Sequence, residues 1–149
     1  MPKDVTIVIV EDDAGHCVLI QKNLRRAGLK NPIRAFENGQ DLLDRFFDER
    51  GVGRELDHPV LVLLDIRMPK VDGIEVLRRL KGDPRLRRIP VIMLTTTDDP
   101  REVERCHGIG CNSYIVKPVD YEKFAQAIEK LGMFLTMVEV PEPSQGTLA

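Results

Sequence analysis

The sequence predicts one α/β domain, an open and doubly wound sheet of five parallel strands, each strand followed by a helix. Three observations predict it. Short apolar runs alternate five times with segments of helical period. The first, third and fourth runs are continuous in Val, Ile, Leu and Met, as in strands covered by helices on both faces. Acidic, hydroxyl and lysine side chains follow directly after the runs, at the strand ends where open parallel sheets hold ligands.

The first strand is read as Thr6–Val10 and is closed by Glu11-Asp12-Asp13. Asp13 caps the helix that follows, in which Cys17, Ile20, Leu24 and Ala27 recur at steps of three and four and share a face. The second strand is Pro32–Phe36, and Leu42, Leu43, Phe46 and Phe47 mark the second helix. Asp48 to Pro59 is polar and carries glycine, which predicts a long loop. The third strand, Val60–Leu64, ends in Asp65; Asp72 and Glu75 then open a helix with Ile74, Leu77 and Leu80 inward. The fourth strand, Val91–Leu94, runs into Thr95-Thr96-Thr97. Asp99-Pro100-Arg101-Glu102 reads as a capping box with proline at the first helical position. The fifth strand, Ser113–Val116, ends in Lys117-Pro118, and Asp120 opens a helix striped with Phe124, Ile128, Leu131 and Leu135. Residues 1–131 form the expected core and 132–149 an extension, of which Pro141 to Ala149 reads as mobile.

Composition bounds the function. The 149 residues are 42% hydrophobic and 31% charged, a globular balance large enough to bury a core without staples. A net charge of -2 and the absence of Trp remove both the field and the stacking platforms of a nucleic-acid binder. The basic cluster Arg85-Leu86-Arg87-Arg88 reads as a solvated loop. No apolar run is long enough to cross a bilayer and the chain enters its first strand too soon for a signal peptide, so a cytoplasmic protein with no membrane contact is expected. Cys17, Cys106 and Cys111 are odd in number and irregularly spaced, which reads as buried free thiols rather than a metal site with His107.

The chemistry lies at the strand ends. In a 2-1-3-4-5 strand order the first and third strands are neighbours, and Glu11, Asp12 and Asp65 would then converge in one crevice. Unopposed carboxylates repel one another, and a hard divalent cation with oxygen ligands resolves the repulsion. Lys117 adds a further positive charge. Such a pocket suits phosphoryl transfer, in which positioning and neutralisation of oxygen charge carry the rate.

Val10-Glu11-Asp12, Leu64-Asp65-Ile66-Arg67-Met68-Pro69, Asp72-Gly73, Leu94-Thr95-Thr96 and Lys117-Pro118, in this order and spacing, resemble the receiver domain of two-component response regulators over roughly residues 5 to 131. The resemblance implies a flavodoxin-like (βα)5 fold with strand order 2-1-3-4-5 and a signalling phosphoacceptor rather than an enzyme. Asp65 would take a phosphoryl group from a histidine kinase, with Mg²⁺ as cofactor and Mn²⁺ able to replace it. Glu11, Asp12, Asp65 and the Arg67 backbone carbonyl would hold the metal. Thr95 and Lys117 would contact the phosphoryl oxygens, Thr95 and Tyr114 would form the switch, and the Lys117–Pro118 bond would be cis. For Thr96, Thr97 and Tyr114, turn and packing roles compete evenly with these. Arg67 and Thr96 depart from the common pattern by their size, and the expectation is that they slow water attack on phospho-Asp65.

The long loop and the C-terminal extension are similar to those of the small stand-alone regulators of bacterial and cyanobacterial phytochrome kinases. After the fifth helix too few residues remain for a DNA-binding domain, so output is expected through protein partners. Met133-Phe134-Leu135-Thr136-Met137-Val138 is apolar on more than one face, which predicts a homodimer through the fifth helix and the following arm. The alternative function is a pseudo-receiver that binds without phosphorylation, but such a module would lack the acceptor, the metal acids or the lysine. A dehalogenase-type phosphatase would show Asp-x-Asp where this chain has Asp65-Ile66-Arg67. A nucleotide-binding domain would show a glycine-rich loop where it has Glu11-Asp12-Asp13.

Overall fold

The computed structural model describes residues 1–143, so the tail expected to be mobile lies outside the described residues from position 144 on. The strands β1 (Thr6–Val10), β2 (Ile33–Phe36), β3 (Val60–Leu64), β4 (Val91–Thr95) and β5 (Ser113–Val116) form one parallel sheet in the order β2-β1-β3-β4-β5. They alternate with α1 (Ala14–Arg26), α2 (Gly39–Phe46), α3 (Gly73–Gly82), α4 (Pro100–Ile109) and α5 (Tyr121–Leu135).

Side chains of a strand alternate between faces, so each continuous apolar strand feeds two cores. Val8 and Val10 of β1, Val62 and Leu64 of β3 and Met93 of β4 pack with Leu42, Phe46, Leu77, Leu80 and Cys106 from α2, α3 and α4. Ile7, Ile9, Leu61, Leu63, Ile92 and Leu94 point the other way and pack with Ile20, Leu24, Phe124, Ile128, Leu131 and Leu135 from α1 and α5. Helix α5 thus runs past residue 131, and Leu135 and Val140 are buried in this second core. Gly132 lies where α5 meets α1 closely: a Cβ there would sit 2.6 Å from the Ala27 Cβ.

Asp13, Asn38, Asp72, Asp99 and Asp120 cap the five helices by accepting backbone N–H bonds. The reciprocal half of the expected capping boxes does not form. The Glu75 carboxylate pairs with Arg78 and that of Glu102 with Arg67, because a guanidinium is a stronger partner than a backbone amide. Phe47 lies outside the second helix. It is extended (φ -123°, ψ 150°) and bridges antiparallel to Gly53, which starts the loop before β3. That loop is tied down: Asp83, 9% exposed, accepts from Gly53 N at 2.7 Å and from Arg85 N at 2.8 Å. The Lys117–Pro118 bond is trans, as no cis peptide occurs among the described residues. Trans is the intrinsically favoured isomer of such a bond.

Candidate functional site

The register of β1 against β3 assembles the site. Val10 is level with Leu64, and Asp65 N donates to Val10 O at 3.1 Å, so the residues after both strands emerge side by side. Glu11, Asp12 and Asp65 there bring one carboxylate oxygen each within 4.8 Å of one another. Among the described residues no other group of three His, Cys, Asp or Glu side chains comes together in this way, Cys106, His107 and Cys111 included. Glu11 and Asp65 are buried and Asp12 is exposed, so the cluster opens to solvent on one side.

Lys117 enters from the far side of the crevice. Its backbone N donates to Thr95 O at 2.7 Å, and its side chain is buried. Its ammonium donates to Glu11 Oε1, to Asp65 Oδ2 at 3.2 Å and to His16 Nδ1 at 3.2 Å. It also lies 5.8 Å from the centre of the Phe124 ring. The other Asp65 oxygen, Oδ1, accepts from Ile66 N at 2.7 Å. Burial pushes the Glu11 carboxyl up to about 7, against the pull of the Lys117 ammonium. Three carboxylates face one ammonium, so two negative charges remain uncompensated when all the acids ionise. The ligand atoms are all hard oxygens, with room on the solvent side for bound waters. These features fit Mg²⁺ or Mn²⁺ and do not fit a soft metal.

Glycine at position 73 permits this loop to fold. A Cβ there would lie 1.9 Å from Asp65 O, and Gly73 N donates to Ile66 O at 2.8 Å. Helix α3 therefore starts pressed against the backbone of the acidic loop, which is a matter of close approach rather than of a positive φ. Thr95 is fully buried at the end of β4, next to the pocket, with its hydroxyl 3.5 Å from Thr97 N. Arg67 turns away from the acids: its guanidinium meets Thr97 Oγ1 and Glu102 Oε1, each at 3.3 Å. Tyr114 donates its hydroxyl to Thr97 O at 2.7 Å. Arg67, Thr97, Glu102 and Tyr114 thus link the loops after β3 and β4 to α4 and β5.

Reading the sequence missed two of these residues. His16 lies in the first turn of α1, and side chains there lean back towards the strand ends. That direction was the available signal. Glu102 was assigned to a cap, and nothing local distinguishes that role from a partner 35 residues away. A cavity of about 670 Å³ lies at the opposite end of the sheet beside Thr6, Ile33 and Val60. The strand ends, rather than cavity size, locate the site.

Comparison with known proteins agrees with this arrangement. The model of the family described as response regulator receiver domain matches residues 7–129. A crystal structure of a response regulator receiver domain from Rhodospirillum rubrum superposes with a TM-score of 0.85 at 48% identity, covering 93% of this chain and 98% of that one. The Mn(2+)-bound form of response regulator Rcp1 gives a TM-score of 0.79 at 27% identity over 94% of this chain and 99% of that one. The phosphorylated cyanobacterial phytochrome response regulator RcpA gives 0.77 at 29% identity over 91% of this chain and 97% of that one. With its strand order, its acidic cluster and its buried lysine, this chain belongs to the response regulator receiver domain family.

Proposed function

We propose that this chain accepts a phosphoryl group from a histidine kinase on Asp65, in a reaction that needs a divalent cation, and signals through protein partners. The observation that carries this reading is Lys117 bound to both Glu11 and Asp65, with Asp12 completing the acidic cluster. Glu11, Asp12, Asp65 and the Arg67 carbonyl would hold Mg²⁺, or Mn²⁺ in its place; the Mn(2+)-bound relative supports this ligand class. A cation held by these residues would supply neutralisation of the oxygen charge during the transfer. An Asp65 carboxylate oxygen attacks phosphorus, the bond from phosphorus to the kinase imidazole breaks, and the electron pair leaves with the imidazole nitrogen. Lys117 and Thr95 then face the new phosphoryl oxygens. Incubation with a small acyl phosphate and Mg²⁺ tests the reading by intact mass. The native chain should gain one phosphoryl group and Asp65→Asn none. A gain by Asp65→Asn, or no gain by the native chain, would refute it.

Four finer readings follow. Thr95 and Tyr114 are proposed as the switch, because Tyr114 bonds the carbonyl of Thr97, two residues after Thr95. Arg67 is proposed to lengthen the signal. Its guanidinium spans from the acidic loop to Thr97 and Glu102, so Arg67→Asn should shorten the life of phospho-Asp65. Equal dephosphorylation rates would discard that role. The kinase is proposed to be a phytochrome, by the likeness to RcpA, and the compartment to be the cytoplasm.

A further inference from the structure

We infer that His16 is a positioning residue for Lys117, the constant partner that holds the ammonium in place while its two carboxylate partners change theirs. The inference rests on the phosphotransfer reading of Asp65. A lysine ammonium has three N–H donors and no acceptor. Here the three go to Glu11 Oε1, Asp65 Oδ2 and His16 Nδ1, which leaves no donor of this buried group unmatched. Because Lys117 can only donate, Nδ1 must be the unprotonated ring nitrogen. The ring proton then sits on Nε2, which faces Asp13 Oδ2 at 3.9 Å. The imidazole is fixed from a third side by an edge-on contact with Phe124, ring centres 5.2 Å apart. Asp13 holds the backbone of the same turn, accepting from His16 N at 3.0 Å.

Of the three acceptors, only His16 has no share in binding a cation or a phosphoryl group. When Asp65 becomes an acyl phosphate and Glu11 turns to a metal, both carboxylate contacts of Lys117 are loosened or replaced. The contact with His16 is the one that can persist, so it keeps the ammonium aimed into the crevice as a phosphoryl oxygen arrives.

The test compares the native chain with His16→Leu, which removes the acceptor, and His16→Asn, whose Oδ1 occupies nearly the position of Nδ1. Three quantities are read: phosphorylation rate with a small acyl phosphate at saturating Mg²⁺, Mg²⁺ affinity by calorimetry, and the His16 tautomer by nitrogen NMR of the metal-free native chain. His16→Leu should slow phosphorylation about tenfold, the scale of one lost hydrogen bond to a buried charge. Its Mg²⁺ affinity should be unchanged, and His16→Asn should recover most of the rate. The tautomer should carry its proton on Nε2. A native rate in His16→Leu, an equal loss in both variants, or a proton on Nδ1 would overturn the inference. A native chain that gains no phosphoryl group would instead refute the phosphotransfer reading, and the tautomer would still be measured independently.

Discussion

At the scale of the residue, the molecule is organised by a few buried polar groups that reach partners distant in sequence. Lys117 is the sharpest case. Among the described residues it is the one ammonium paired with Glu11 and Asp65, and removing one partner of a buried ion pair typically costs about 3–5 kcal/mol. Lys117→Met should therefore lower the metal-free melting temperature. Mg²⁺ should raise it by more in this variant than in the native chain, since the cation takes over the missing charge; thermal melts with and without Mg²⁺ measure both. Two weakly acidic groups, the buried Cys106 and the half-buried Tyr114, lower stability on the alkaline side. Burial pushes the Cys106 thiol up to about 11 and the Tyr114 hydroxyl up to about 12. Between the ordinary and the raised values the unfolded chain has released these protons and the folded chain keeps them. Stability therefore falls as pH rises. The guanidinium midpoint should drop from about pH 8 to about pH 10.5, and Cys106→Ala should flatten that drop.

At the scale of the element, glycines and caps set how closely one segment approaches the next. Gly73 and Gly82 sit at the two ends of α3 and make a matched pair. A Cβ on Gly73 would strike the Asp65 carbonyl at 1.9 Å, whereas a Cβ on Gly82 meets nothing within 4 Å. Gly73→Ala should cost about 1–3 kcal/mol and slow phosphorylation by displacing the acidic loop. Gly82→Ala should be neutral or stabilise the helix by a few tenths of a kcal/mol, about what helix propensity allows. Urea denaturation distinguishes the two. Asp83 joins the loop before β3 to the turn after α3 through the amides of Gly53 and Arg85. Asp83→Ala leaves two inward amides without an acceptor and should cost about 2 kcal/mol in the same assay.

At the scale of the whole molecule, the two faces of the sheet divide the work. One face packs against α2, α3 and α4 and the other against α1 and α5, while the site opens at the strand ends between them. Met133 and Phe134 near the end of α5 and Met137 just after it are exposed. We propose a homodimer through this surface. Deleting the segment would strip buried Leu135 from the core, so substitution is the sounder test. Sedimentation should find the native chain dimeric and the double variant Phe134→Glu, Met137→Glu monomeric with an unchanged fold. A monomeric native chain ends the proposal.

The doubly wound layering and the position of Glu11, Asp12, Asp65 and Lys117 at strand ends were legible in local signals: continuous apolar runs force strands covered on both sides, and polar residues directly after such runs lie at the strand ends. The strand order, and with it the convergence of these residues, was legible only through the motifs shared with the receiver family. The boundary of the second helix was not legible, because Phe47 is apolar whether it continues the helix or turns out to bridge Gly53. The partners of His16, Arg67, Glu102 and Asp83 were decided only by the tertiary structure. Each is a polar side chain whose local role, in a cap or a turn, is available to it in any sequence. Which bond it makes depends on what folding brings within about 3 Å, and that distance is set by packing between segments far apart along the chain.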